Sequence, residues 1–366
     1  MSRVGILGGG QLGRMLALAG YPLGERFVFL APSSDAPAHH VGELWTGAYD
    51  DAIKLEELAR TAKVITYELE SVPLASARWL AERVPVYPPP KALEMSQDRL
   101  HEKAFFESLG IPTAEFAPVD DEAGLAVAIA RIGLPAMLKT RRFGYDGKGQ
   151  ALLRTAEDAA TAWKTLAAGA PLILEKFVPF DRELSMLAAR GKDGKSAFYP
   201  LVENHHKEGI LRLSIAPAPD ASLLQAKAEA HAAKILEALD YTGVIAIELF
   251  QKGGELLANE MAPRVHNSGH LTIEGAETSQ FENHLRAILG LPLGSTAPVG
   301  HSAMINLIGN VPSPGALLAV PGAHLHLYGK ESLPGRKLGH VTVRADSRGA
   351  LEERLVALRA ITEPPT

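Results

Sequence analysis

One hairpin constrains this chain more than any other stretch. The run Gly243 to Phe250 is rich in Val and Ile, a Gly253-Gly254 pair follows, and a second short run spans Glu255 to Glu260. Two such runs around a tight glycine turn predict paired antiparallel strands. That pairing brings Glu248 and Glu260 side by side. Carboxylates held so close repel each other unless a cation lies between them. Magnesium, held by one or two carboxylates plus substrate phosphates, is the usual solution. Two surface acids on an exposed hairpin are the plainer alternative, but Val244, Ile245, Ile247 and Leu249 mark the first strand as buried. Just beyond lies Asn259 to His270, with a carboxylate, a guanidinium, two imidazoles and two carboxamides in one short segment.

Residues 3 to about 90 alternate apolar runs (Val4 to Leu7, Phe27 to Leu30, Val64 to Tyr67) with helical patterns (Gln11 to Gly20, Leu55 to Ala62, Leu74 to Arg83). This rhythm predicts a parallel, Rossmann-like α/β sheet with helices on its faces. The three prolines at 88–90 suggest a boundary. Four segments follow from the pattern: 1–90, a βαβ substrate-binding domain; 91–178, a mixed piece with a flap; 179–297, holding the carboxylate hairpin; and 298–366, a small strand-rich C-terminal domain. At 366 residues and 22% charged side chains, the chain suits a globular enzyme of two to three domains. A net charge of -5 gives no reason to expect nucleic acid or membrane partners. The absence of cysteine excludes disulfides, thiolate nucleophiles and Cys-ligated zinc. The N-terminus runs straight into a strand and no apolar run has membrane-spanning length, so a cytoplasmic location is expected.

Two glycine-rich loops bear on chemistry. The first, Gly8 to Gly13, joins the first strand to the first helix, where backbone amides can approach a phosphate. A nicotinamide dinucleotide site also needs an acid at the end of the second strand. Leu30-Ala31-Pro32 stands there instead, which argues against an NAD-dependent oxidoreductase. The second loop, Arg141 to Gln150, lies between two strands and reads as a flap whose amides form an anion nest. Lys139, in the apolar strand before it, requires an anionic partner. Glu175-Lys176-Phe177-Val178 ends another strand and suits a hinge that holds an adenine ring, with Glu183 placed for ribose hydroxyls. Near the C-terminus, Lys330, Arg336 and Lys337 share a Gly/Pro-rich loop suited to capturing a phosphate. Glu68 and Glu70, two apart at a strand end, are expected to face one ligand. His205 and His206 are adjacent on a strand and so do not form a metal pair. His270 reads as structural.

The segments at 9–15, 144–150, 259–270 and 334–340 together resemble the ATP-grasp superfamily, and within it the N5-carboxyaminoimidazole ribonucleotide synthases of de novo purine synthesis. The resemblance runs the length of the chain. Lys148 departs from the arginine many relatives carry, and Phe143 from a glycine. The resemblance implies an ATP-grasp fold and ATP contacts at Arg99, Lys139, Gly144, Tyr145, Asp146, Gly147, Lys148, Gly149, Gln150, Glu175, Lys176, Phe177, Val178, Glu183, His206, Asn259 and Glu260. It implies Mg2+ on Glu248 and Glu260. It also implies aminoimidazole ribonucleotide contacts at Gln11, Leu12, Glu68, Glu70, Tyr145, Asp146, Lys148, Arg264, His266, Asn267, Lys330, Arg336 and Lys337. Bicarbonate is the implied carbon source, by way of carboxyphosphate, with Lys139, Asp146, Arg264 and His266 in the catalytic roles. Either His266 or Asp146 takes the proton. A homodimer is implied as well. A formate-dependent glycinamide ribonucleotide transformylase is the nearest rival, and a nucleotide sensor without catalysis a third reading.

Overall fold

The computed structural model describes residues 3–144, 147–167 and 170–363. Four short strands form a wholly parallel sheet in the order Glu43–Thr46, Phe27–Ala31, Arg3–Leu7, Ala62–Tyr67. Every residue of Phe27–Ala31 is buried, as expected of a parallel strand covered on both faces. Helix Gln11–Gly20 packs its apolar side with Phe27 and Phe29, while Ala52–Thr61 and Leu74–Ala81 close the other face around Ile65 and Tyr67. The second helix ends one residue earlier than its pattern predicts. Asp51 caps it by accepting from the amides of Ile53 and Lys54. Ala62 still donates to Leu58, but its ψ of 141° is extended and it pairs with Arg3.

A second sheet is small and antiparallel, in the order Phe116–Val119, Leu172–Lys176, Ala136–Thr140, Gln150–Leu153. Helices Glu122–Ile132 and Ala156–Leu166 share its core. The third sheet is large and antiparallel. Its path runs Glu255–Ala262, Gly243–Lys252, Arg182–Arg190, Val202–Lys207, Ile210–Ala216, His301–Ile308, Lys337–Ala345, Ala323–Leu327. Its final three strands come from the C-terminal piece, which docks by extending this sheet and is closed by helix Arg348–Thr362. Helices Arg99–Ser108 and Ser222–Ala238 cover the core near the carboxylate hairpin. Among the described residues, no helix is long and apolar enough to cross a membrane.

Candidate active site

The hairpin forms as its sequence predicts, with Glu248 directly opposite Glu260. The next register pair is Leu249 with Ala258, so Asn259 is an extra residue on its strand. Such a β-bulge re-aims side chains. The two acids differ sharply. Arg99 donates to Glu260 at 2.7 Å and, against the effect of burial, holds its carboxyl below the usual range. Burial and the charge of Glu260 push Glu248 up to about 7. The Oδ1 of Asn259 is buried without a partner. Two adjacent carboxylates, one short of positive charge, beside an orphan amide oxygen are hard donors that suit Mg2+. Among the described residues, no group of three or more His, Asp or Glu side chains is arranged to hold a metal. The protein would therefore supply two carboxylates and leave other positions to phosphate oxygens and water.

Helix Arg99–Ser108 delivers three charges from one face, Arg99, Glu102 and Lys103, at the i, i+3, i+4 spacing. Lys103 is fully buried, and its Nζ lies 3.3 Å from Glu175 Oε2. Lys139 Nζ lies 2.9 Å from the same oxygen, so Glu175 is the anionic partner that Lys139 requires. The two lysines outweigh burial and pull the Glu175 carboxyl down to about 2. The side chain of Glu175 thus faces inward, and the amides of Lys176 and Phe177 are taken by the carbonyls of Glu115 and Pro135. Lys176 is exposed there, with Phe177 and Val178 half-buried. Glu102 accepts from the Met261 amide at 2.7 Å, and burial with the Glu260 charge raises its carboxyl. Asp98 accepts a two-pronged bond from Arg141 and also caps the helix at Leu100. Asp98, Glu102 and Lys103 escaped the sequence reading, although their spacing along one helix was a usable signal.

The flap hairpin pairs Lys139 with Gln150. Gly147 and Gly149 carry φ of +75° and +72°. The tip reaches across to the large sheet, since a Cβ on Gly147 would stand 3.0 Å from the Glu208 carbonyl oxygen. Gly144 and Lys148 lie in this turn, while Tyr145 and Asp146 fall outside the described residues. On the large sheet, His206 Nδ1 meets Glu183 at 2.8 Å. His205 turns to Glu203 at 3.0 Å, and the register slips between the two histidines, so they have separate partners.

Further along the cleft, Arg264 pairs with Glu70 at 2.7 Å. His266 Nδ1 accepts from the Ser268 amide, which puts the ring proton on Nε2, 3.4 Å from Glu248. Asn267 forms a reciprocal amide pair with Asn306. Lys330 reaches Gln11 at 2.6 Å, so the C-terminal loop touches the start of the first helix. Arg336 and Lys337 stand where that loop re-enters the sheet. Leu12 is 8% exposed with its side chain in the core, leaving its main chain to meet a ligand.

Residues 1–97 match the ribonucleotide synthetase preATP-grasp domain, 104–281 the ATP-grasp domain, and 302–354 the phosphoribosylaminoimidazole carboxylase C-terminal domain. The chain is 53% identical to the N5-carboxyaminoimidazole ribonucleotide synthase of Pseudomonas aeruginosa, with 99% of each covered. It is also similar to the crystal structure of the Thermus thermophilus synthetase, with TM-score 0.95, 61% identity and 99% of both chains covered. The chain belongs to the N5-carboxyaminoimidazole ribonucleotide synthase family. It is an ATP-grasp ligase that carboxylates aminoimidazole ribonucleotide in purine biosynthesis. A structure of the Aspergillus clavatus synthase in complex with ADP and 5-aminoimidazole ribonucleotide is similar at TM-score 0.93 and 34% identity, covering 100% of this chain and 99% of that one.

Two expectations about this synthase fold need correction. Glu68 and Glu70 do not lie on one strand face, because the strand ends at Tyr67 and the chain turns there, although the charges of both act on Arg264. Glu70 goes to Arg264, whereas Glu68 turns back into the first glycine loop. There its carboxylate accepts from the amides of Gly10 and Gly13. Those are the amides a dinucleotide phosphate would use, so the loop serves an internal anion. That is a physical reason, beyond the missing acid, why no nicotinamide site forms.

Proposed function

We propose that the chain uses bicarbonate as its carbon source and Mg2+-ATP as its energy source, through carboxyphosphate. The opposed pair Glu248 and Glu260, flanked by Arg99 and the Glu175-bound Lys139, is the observation that carries this reading. Glu248 and Glu260 would hold the ion. When bound, Mg2+ neutralises charge on the transferring phosphoryl group. Lys139 and the flap amides add positive charge to the same phosphates, and the hinge main chain at 175–178 with Glu183 and His206 takes the nucleoside. Arg264, already oriented by Glu70, offers a guanidinium fork to bicarbonate and then to carboxyphosphate.

The exocyclic amine of the ribonucleotide next attacks the carboxyl carbon, phosphate leaves, and the amine loses a proton. His266 or Asp146 takes that proton. Lys330, Arg336 and Lys337 capture the ribonucleotide's phosphate. Flap closure keeps water from the labile intermediate. We retain the cytoplasmic homodimer and the four segments 1–90, 91–178, 179–297 and 298–366 as parts of this reading, to be checked by light scattering and limited proteolysis.

The decisive assay measures ADP release with aminoimidazole ribonucleotide and either bicarbonate or formate. Bicarbonate alone should drive turnover. Glu260→Gln should lower kcat by roughly 10²–10³-fold. Near-normal turnover in that variant would remove the metal assignment.

A further inference from the structure

Two polar motifs in this chain each end in a histidine that the chemistry above leaves unused: His270, after the Arg264–Asn267 turn, and His340, after the Arg336-Lys337 loop. The fold brings them together, with ring centroids 4.8 Å apart and exposures of 1% and 0%. Tyr328, also buried, lies beside both. Its hydroxyl lies 2.7 Å from His340 Nδ1 and 3.3 Å from His270 Nδ1.

The direction of these bonds follows from one carbonyl. Asn306 donates through Nδ2 to Leu211 O at 2.9 Å and to Asn267 Oδ1 at 2.8 Å. Asn267 must then donate through its own Nδ2, which lies 3.1 Å from both Asn306 Oδ1 and His270 Nδ1. His270 Nδ1 is therefore an acceptor. His340 Nδ1–H then donates to the Tyr328 oxygen at 2.7 Å, while the Tyr328 hydroxyl at 3.3 Å and the Asn267 amide at 3.1 Å share the single lone pair of His270 Nδ1. The line thus runs from the C-terminal sheet to Asn267 in the cleft.

Such a core is costly. His270 Nε2, His340 Nε2, Thr342 Oγ1 and Glu274 Oε2 are buried there without partners. Apolar side chains would fill the same space with less desolvation, so stability alone does not account for the cluster. Its placement does. Tyr328 starts the phosphate loop, His340 follows its end, and His270 closes the turn that carries Arg264, His266 and Asn267. Both ends of the loop are tied to one hydroxyl, and that hydroxyl to the turn.

We propose that Tyr328 is a positioning residue: its hydroxyl, shared by His270 and His340, sets the spacing between the loop that takes the ribonucleotide's phosphate and the turn that holds the carboxyl donor. This rests on the phosphate role given to that loop under Proposed function. The spacing decides whether the amine meets carboxyphosphate before water does.

Tyr328→Phe removes only the hydroxyl. It should raise the KM for the ribonucleotide about tenfold, a displacement effect on reacting groups. It should also lift the ratio of ADP released to product carboxylated above the wild-type value, with the KM for ATP unchanged. A merely structural role would lower thermal stability and leave that ratio alone. Arg336→Ala is measured alongside. If Arg336→Ala raises the ribonucleotide KM while Tyr328→Phe leaves both KM and ratio at wild-type values, the positioning role is wrong and the phosphate loop stands. If Arg336→Ala has no effect on that KM, the loop assignment itself fails. The double variant should show less than the product of the two single effects, because both act on one loop, and multiplicative effects would overturn the coupling.

Discussion

The two glycine-rich loops look alike as strings of residues and do opposite things. In Gly8 to Gly13 the amides of Gly10 and Gly13 close on Glu68, so those two amides are satisfied within the protein. In Gly144 to Gly149, Gly147 and Gly149 adopt positive φ at the tip of a hairpin that bridges two sheets across the cleft. The first is part of the core, and the second is a cover. Glycine content therefore says only that backbone can come close to something. Whether that something is a ligand depends on whether the fold already supplies an anion.

The largest effect expected from this contrast is on activity. A Cβ at Gly149 would stand 2.6 Å from Thr140 Oγ1 in a backbone with φ +72°. Gly149→Ala should cut kcat/KM for ATP roughly 10²-fold by misplacing the flap. Its stability in urea should fall by only about 1 kcal/mol. Gly8→Ala should show the reverse. That residue has φ +124° and its Cβ would run into the Glu68 side chain. A loss of about 2–3 kcal/mol in urea unfolding is expected. Equal stability losses in both variants would erase the distinction between core loop and cover.

Acid tests the same contrast more gently. Burial holds His284 down to about 3, and holds His270 and His340 well below the usual imidazole range. The unfolded chain takes up protons at these sites below about pH 6.5 and the folded chain does not, so stability falls as pH drops through that point. Glu68 works the other way. Burial raises its carboxyl despite the two amides, so on acidification the folded state binds that proton first and gains. Glu68→Ala should therefore steepen the acid loss seen by thermal unfolding between about pH 6.5 and 4.5. An unchanged slope would mean that Glu68 is not buried as described. The smallest effect is on ligand binding. With Glu68 gone, the first loop's amides are vacant, and inorganic phosphate should raise the Tm of Glu68→Ala by about 1–2 °C more than that of wild type. No difference would show that the amides alone cannot hold an anion.

Much of the architecture was legible in local pattern. The βαβ rhythm, the hairpin around Gly253 and the opposition of Glu248 and Glu260 follow from periodicity and turn chemistry, which act over a few residues. Lys139's need for a counter-ion was equally plain, because an unpaired buried ammonium is too costly to persist. The identity of that counter-ion was not. Glu175 read as a hinge residue, and only the lateral pairing of two strands beside helix Arg99–Ser108 brought its carboxylate to Lys139 and Lys103. Glu68 and Glu70 followed the strand rule until the strand stopped one residue too soon. The Tyr328 junction joins residues from three distant parts of the chain, and no spacing announces it.

The linear order of residues thus determined which segments become strands, helices and turns, and which acids must meet across a hairpin. Those outcomes are settled by short-range sterics and by alternation of apolar side chains. The tertiary structure alone decided which buried charge answers which, because a burial penalty can be offset by any opposite charge the fold brings within reach. It likewise decided that one glycine loop faces its own glutamate and the other faces the cleft.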